Sequence, residues 1–598
     1  TLSAIADGGT LTGSPSSNLI IRGNQDADFG NINFTEGGRI LKSITINQSS
    51  PESSVTLGTP LDISGELRVE NGELITADNL TLKSTEEGTA SVSPVNGSIT
   101  GNVTVERFIP ARRAWRILSA PVSGDQTINA AWQEGVTTAS PNANPNPGYG
   151  THITGGSTTD GFDQNKAGNS ASSIKWFDNA TNSWIGVSNT ASTTVGNKPF
   201  MLFVRGDRGV SLAGSDVTPT NTTLRANGPL FIGDQTIPVH ATGFTAVANP
   251  FASPVNFASI TRTNVKNSYY LWEPRMGGSF GLGAYVNISL NGTGYDIVPA
   301  LVNPDNQFIQ SGQGFLVAST GDGGSITIKE SDKSAGISHS STRNTEDGTE
   351  TPFFAPAKNS QGLRITLQTI NDDEVSTLDG ILASYGRDFS STIDEMDVAK
   401  LPNLSENLAL LRQGQQLMVE RRSPIDEKGD TLYLNLYNTR QKNYLLEFEP
   451  NDLTDIVSAT LEDNYLHLST PIKTTEKTQV PFQINTDAAS SNIDRFKVIL
   501  VSRKSTDAIV NNGKPAIKVY PNPILSGNTN LHFENIASGT YQLQLINSAG
   551  QIVLRNNIQH PGGSLTRKLD LGNRFPAGIY QLKITGKNTK TIIKLFNK

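Results

Sequence analysis

The feature that most constrains this chain is its punctuation. Between Leu61 and Leu82 apolar side chains alternate with polar ones over runs of three to five residues. Each run stops at a turn residue and resumes: Leu61-Asp-Ile-Ser-Gly65, Glu66-Leu-Arg-Val-Glu70, Asn71-Gly72, Glu73-Leu-Ile75, Asp78-Asn79, Leu80-Thr-Leu82. Period-two patterning is the signature of strands with one buried face. Runs this short cannot bury a core alone, so stacking similar rungs is the economical solution, as in a β-solenoid. The spacing between runs is irregular, and an ordinary β-sandwich is the competing arrangement. A solenoid needs a cap at each end, and none is visible near Thr1. Position 1 is Thr, and Thr1-Leu-Ser-Ala-Ile5 lacks the basic and apolar regions of a signal peptide. A longer chain continuing upstream is the expectation.

Composition removes whole classes of chemistry. The 598 residues suggest about four domains. With no Cys, disulfides, thiolate metal sites, iron–sulfur ligation and thiol nucleophiles are excluded. The six His (His152, His240, His339, His467, His532 and His560) show no metal-binding spacing. No apolar run is long enough to span a bilayer as a helix. A net charge of −7 conceals an asymmetry: residues 1–105 carry twelve acids against five bases, and residues 517–598 ten bases against two acids. A basic terminal module suits an acidic partner, or is simply a solvated basic face. No aromatic-plus-basic motif accompanies it, so nucleic acid is not an expected partner.

The pattern divides an all-β chain into solenoid rungs, two sandwich or jelly-roll-like domains and a small terminal sandwich. Residues 1–105 hold the rungs. Residues 106–335 contain all five Trp (Trp115, Trp132, Trp176, Trp184 and Trp272), which predicts a separate aromatic-cored unit. Its 139–172 stretch, rich in Asn, Pro, Gly, Ser and Thr, reads as an extended surface excursion. Exposed Trp would suit sugar stacking, although Trp in a sandwich more often belongs to the core. Residues 336–352 and 504–516 read as polar linkers. Residues 353–503 show short strands, Tyr465–Leu468 among them, with one short helix expected around Ser405–Leu411 and Ser405 as its cap.

Sites for chemistry are sparse. No His-Glu-x-x-His occurs, and no Gly-rich loop leads from strand to helix; the expectation is a protein without catalytic residues or an obligate cofactor. The cluster Asp372, Asp373 and Asp379 supplies the hard oxygens that Ca²⁺ would take, against the plainer reading of solvated turn acids. Arg205-Gly206-Asp207 is better read as a strand ending in a turn than as an adhesion tripeptide.

The strongest signal is C-terminal. Val519-Tyr520-Pro521-Asn522-Pro523 opens it, and Tyr541-Gln-Leu-Gln-Leu545 leads into Asn547-Ser-Ala-Gly550. Pro576-Ala-Gly578-Ile-Tyr580-Gln-Leu-Lys-Ile584 and Lys594-Leu-Phe596 complete it. Alternation gives Tyr541, Leu543 and Leu545, and again Tyr580, Leu582 and Ile584, one apolar face each. This arrangement closely resembles the type A C-terminal sorting domain of the type IX secretion system of Bacteroidota. The resemblance implies a seven-stranded Ig-like sandwich over 517–598, read as an export signal by an outer-membrane translocon and its shuttle β-barrel. It also implies a surface sortase, cleavage within 504–516, and attachment to lipopolysaccharide or release outside the cell. The matching recognition residues are Tyr520, Pro521, Asn522, Pro523, Gly550, Gly578, Tyr580 and Lys594, any of which could instead hold the domain together. Upstream, Val103-Thr-Val-Glu-Arg-Phe-Ile-Pro110, Ala114-Trp-Arg-Ile-Leu-Ser-Ala-Pro121 and Val247-Ala-Asn-Pro-Phe-Ala-Ser-Pro254 resemble a module of large Bacteroidota surface proteins. An adhesin-like surface protein is therefore expected, the alternative being the C-terminal part of a polysaccharide-degrading or carbohydrate-binding protein.

Overall fold

A computed structural model describes residues 9–597 apart from 24–27, 164–171, 214–216, 278–280, 292–293, 301–307, 335–360, 372–373, 427, 454–455, 503–515, 526–527, 561–562, 571–574 and 587–589. The linkers expected at 336–352 and 504–516 lie outside the described residues, but for Ala516, which begins a strand. The fold is all-β, with strands over 54% of the chain and, among the described residues, one short α-helix, Ile128–Trp132.

The alternation of the first hundred residues becomes two parallel ladders. Thr10–Leu11, Gly30–Phe34, Ser54–Leu57, Glu73–Ile75 and Ser98–Thr100 form one sheet. Asn18–Ile21, Ile40–Asn47, Leu61–Asn71, Leu80–Leu82 and Val103–Ile109 stack in the other. Ile44, Val55, Ile63, Leu67 and Leu74 sit between them at 0% exposure. Polar side chains between the strands bond to backbone on the neighbouring pass of the chain. Asn71 Nδ2 donates to Gln48 O at 2.7 Å, Asn79 Nδ2 to Leu57 O at 2.8 Å, and Thr76 Oγ1 to Asn102 O at 2.8 Å. Gly72 turns with φ +90°, where a Cβ would meet Ser53 O at 2.8 Å, so the turn excludes a side chain.

The Trp-rich region does not stand apart as its composition suggests. Val103–Ile109 pairs antiparallel along its length with Thr222–Gly228, and a single buried cluster runs from Ile21 to Ala252. Pairing between segments more than a hundred residues apart cannot be read from local pattern. Beyond it lie a four-stranded sheet of Ala114–Leu118, Phe200–Val204, Ile174–Asp178 and Ser183–Gly186, and a five-stranded one of Phe244–Ala248, Gly314–Ser319, Val265–Glu273, Ala284–Asn291 and Gly294–Val298. In the polar 139–172 stretch, described except for 164–171, residues 150–154 and 161–163 are buried rather than carried on an extended excursion. Arg208, wholly buried, donates to Pro141 O at 2.5 Å, Ala143 O at 2.8 Å, Thr151 O at 3.1 Å and Asp163 Oδ1 at 2.6 Å. One guanidinium thereby satisfies three carbonyls and a carboxylate.

Residues 361–502 form one eleven-stranded sheet that curls on itself. Phe482, on the edge strand Thr478–Gln483, meets Phe496, near the opposite edge, with ring centroids 5.0 Å apart. The helix expected at Ser405–Leu411 is instead the strand Asn407–Arg412, paired with Asp430–Tyr437. Asn407 through Leu410 are buried on both faces, and a short apolar run of this kind cannot be assigned by periodicity. Tyr465 and Leu466 belong to a turn between Ile456–Asp463 and Leu468–Ile472, with His467 at φ 53°. This sheet packs on the preceding unit through Leu382, Val398, Leu401, Met418 and Val419 against Ile117, Tyr270, Trp272 and Tyr285. Tyr270 Oη donates to Ala399 O at 2.6 Å across that contact.

Candidate functional site

The C-terminal sandwich is the part of the chain with a readable task. Its seven strands are Ala516–Leu525, Asn528–Ile536, Gly539–Ile546, Ile552–His560, Gly563–Asp570, Gly578–Thr585 and Lys590–Asn597, and among the described residues they pair only with one another. Its core is its own: Ile524, Leu531, Phe533, Tyr541, Leu543, Leu545, Tyr580, Leu582, Ile584 and Leu595 form a cluster with no member from upstream.

Three of the motif residues, Asn522, Gly550 and Tyr580, hold this sandwich together. Gly539-Thr-Tyr541-Gln-Leu and Gly578-Ile-Tyr580-Gln-Leu begin two neighbouring strands in the same way. Tyr541 Oη donates to Ala537 O and Tyr580 Oη to Pro576 O, each at 2.8 Å and four residues back. Each ring is buried while its hydroxyl pins the entry to the strand. Asn522 clasps the last strand from both sides: its Nδ2 donates to Lys594 O at 2.8 Å, and its Oδ1 accepts from Phe596 N at 2.9 Å. Gly550, at φ +79°, closes the hairpin in which Asn547 Oδ1 accepts from Gln551 N at 2.9 Å. Gly578 faces open space, Pro523 is exposed, and Tyr520 and Pro521 lie in the first strand, Tyr520 opposite Asn530. Lys594 points outward, its Nζ 5.3 Å from the Phe596 ring.

Sequence reasoning missed the outward face that Lys594 shares. Cross-strand pairs place Ile579 beside Phe596, Gln581 beside Lys594, and Lys583 beside Ile592. Ile579, Ile592 and Phe596 are 47%, 56% and 40% exposed. The four strands of this face, Gly539–Ile546, Ile552–His560, Gly578–Thr585 and Lys590–Asn597, contain Arg555, Lys583, Lys590 and Lys594 and no carboxylate. The alternation that identified the inward residues also marks these, had its other half been read.

The other candidates are structural where they can be placed. Asp372 and Asp373 lie outside the described residues. Asp379 is buried with Lys400 Nζ at 2.6 Å from its Oδ2, and it accepts from Leu408 N at 2.6 Å and Gly380 N at 2.9 Å. Burial pushes this carboxyl up from its ordinary range, against the pull of Lys400. Its oxygens are thus committed to protein donors, and among the described residues no group of three or more His, Asp and Glu could hold a metal ion. In the Arg205-Gly206-Asp207 tripeptide, Gly206 turns at φ 128°. Asp207 Oδ2 accepts from Gly148 N at 2.9 Å, and Arg205 stacks on Phe203 at 4.7 Å. That is a folded turn and not a presented loop.

Comparison with known proteins agrees with this geometry. No curated protein matches the chain. Among solved structures, PorZ, described as an essential bacterial surface component of the type-IX secretion system of Porphyromonas gingivalis, is 10% identical with a TM-score of 0.12. The alignment covers 60% of this chain and 59% of that one, and a likeness so slight supports no conclusion. Residues 518–598 match the family described as the secretion system C-terminal sorting domain. The seven-stranded terminal sandwich is therefore a C-terminal sorting domain, and the chain is a type IX secretion cargo bound for the cell surface or extracellular space of a Bacteroidota.

Proposed function

We propose that this is a non-enzymatic, adhesin-like surface or secreted protein that type IX secretion exports through its last eighty-odd residues. The observation carrying this reading is the independence of the terminal sandwich. It has its own core and its own strand pairing, as a detachable address should. The modules before it are joined by shared buried clusters, which suits a stiff body that displays a surface.

In this reading the carboxylate-free face around Ile592, Phe596, Lys583 and Lys594 docks on the export machinery, the outer-membrane translocon and its shuttle β-barrel. Exposed apolar residues ringed by cations fit a partner with an acidic rim. A sortase then cuts within 504–516 and leaves the cargo on lipopolysaccharide or free. Residues 1–105 are read as rungs of a β-solenoid. Two all-parallel ladders, buried aliphatic rows and side chains bonded to the adjacent pass support that reading. The test is an assay of the intact protein against a panel of polysaccharides, together with adhesion of cells that display it. Adhesion without turnover is the expected result. Turnover would instead favour the alternative, the tail of a secreted polysaccharide-degrading enzyme.

A further inference from the structure

We infer that the four-stranded sheet carries a saccharide-binding cleft built on Trp176, which gives the adhesin-like reading above, on which this rests, a ligand class. Among the described residues Trp176 is the exposed Trp, at 43%, whereas Trp132 and Trp272 are buried at 3% and 5% and Trp115 and Trp184 are half-buried. The reason lies in how the sheet is covered. Cross-strand partners place Leu118, Phe200, Trp176 and Ile185 in one row across its four strands. At the Phe200 end the row is roofed by the short helix, where Trp132 meets Phe200 edge-on at 5.9 Å. At the Trp176 end the roof stops, and Ile185 beside it is 38% exposed.

A cleft of about 390 Å³ opens there, lined by Trp176, Asn179, Ser188, Thr193, Lys198 and Phe200 among others. That volume lies within the range of small-ligand sites. No carboxylate lines it. Lys198 extends along its margin, with Nζ donating to Thr194 Oγ1 at 2.7 Å. A flat indole bounded by hydroxyl, amide and ammonium groups matches a sugar ring, whose axial C–H face is apolar and whose edge is all hydroxyl. Lys198 would meet an acidic substituent. A lone cation is too few for a nucleic acid backbone, and the apolar row ends at Ile185, too short a groove for an amphipathic helix.

The test uses the purified full chain, titrated by calorimetry and Trp fluorescence with neutral and uronic-acid-containing oligosaccharides. At least one probe should bind, and Trp176→Ala should weaken it about tenfold or more, with Trp176→Phe between the two. Tyr433→Ala, which removes an aromatic 55% exposed on a different sheet, should bind like the unaltered protein. Thermal midpoints of the variants show that the fold is kept. Absence of binding by every probe at millimolar concentration overturns the cleft, as does equal binding by Trp176→Ala or an equal loss in Tyr433→Ala. Adhesion of displaying cells to sugar-free protein surfaces, with no oligosaccharide bound, would sink the saccharide and leave the adhesin-like reading. Polysaccharide turnover with Trp176-dependent binding would do the reverse.

Discussion

Lys400 Nζ lies 2.6 Å from Asp379 Oδ2, and both side chains are at 0% exposure. Desolvation opposes both charges: it raises the Asp379 carboxyl and lowers the Lys400 ammonium, and each partner only partly restores the other. Such a pair contributes little net stability but becomes costly when half of it is removed. Lys400→Ala should destabilise the 361–502 sheet by about 3–5 kcal/mol, seen as a fall in the urea midpoint. An unchanged midpoint would mean that water reaches the site and the burial is wrong.

Acid should release the clasp on the 139–163 segment. Burial pushes Asp163 up, but His152 and Arg208 outweigh it and hold the carboxyl below its ordinary range. A depressed carboxyl contributes stability above its unfolded value, about pH 4, which is lost as pH falls through the lower folded value. Stability should therefore drop below about pH 4 in the intact protein. Asp163→Asn should be less stable at neutrality and show a flatter acid limb. Denaturant midpoints between neutral and acid pH measure both, and parallel curves would exclude Asp163 as the titrating group.

Motif residues and docking residues of the sorting domain should separate in experiment. Asn522→Ala removes two hydrogen bonds to the last strand and should cost about 1–3 kcal/mol in the isolated 516–598 domain. Ile592→Asp, on the outward face, should leave that stability nearly unchanged and lower export. Equal thermal losses in the two variants would refute the division.

Removing 517–598 should strand the remaining chain in the periplasm. Fusing those residues to a periplasmic reporter should carry it outside. Fractionation of cells reports both, and surface display of the truncated chain would contradict the assignment.

In the first module Ile63→Ala, at 0% exposure, should cost about 2–5 kcal/mol because the parallel stack cannot close over the cavity. Ile20→Ala, 55% exposed, should cost far less. Comparable losses would mean that the ladders are packed otherwise.

What this sequence determined alone was local. Alternation sets which side of a strand is apolar, so Leu543, Leu545, Leu582 and Ile584 were legible as the core of a terminal sandwich, and so was the sorting motif around them. Tertiary structure decided whatever depends on a partner distant in the chain. Residues 407–412 became strand because they pair with Asp430–Tyr437, far along the chain. The break expected after residue 105 vanished because Val103–Ile109 found Thr222–Gly228, and the polar 141–163 segment is tied down because Arg208 holds its carbonyls and the Asp163 carboxylate. Trp176 was left open while Phe200 beside it was covered, since the short helix reaches Phe200 through Trp132 and stops there. Periodicity reports how a residue faces its own strand, and no pattern along the chain says what will come to cover that face.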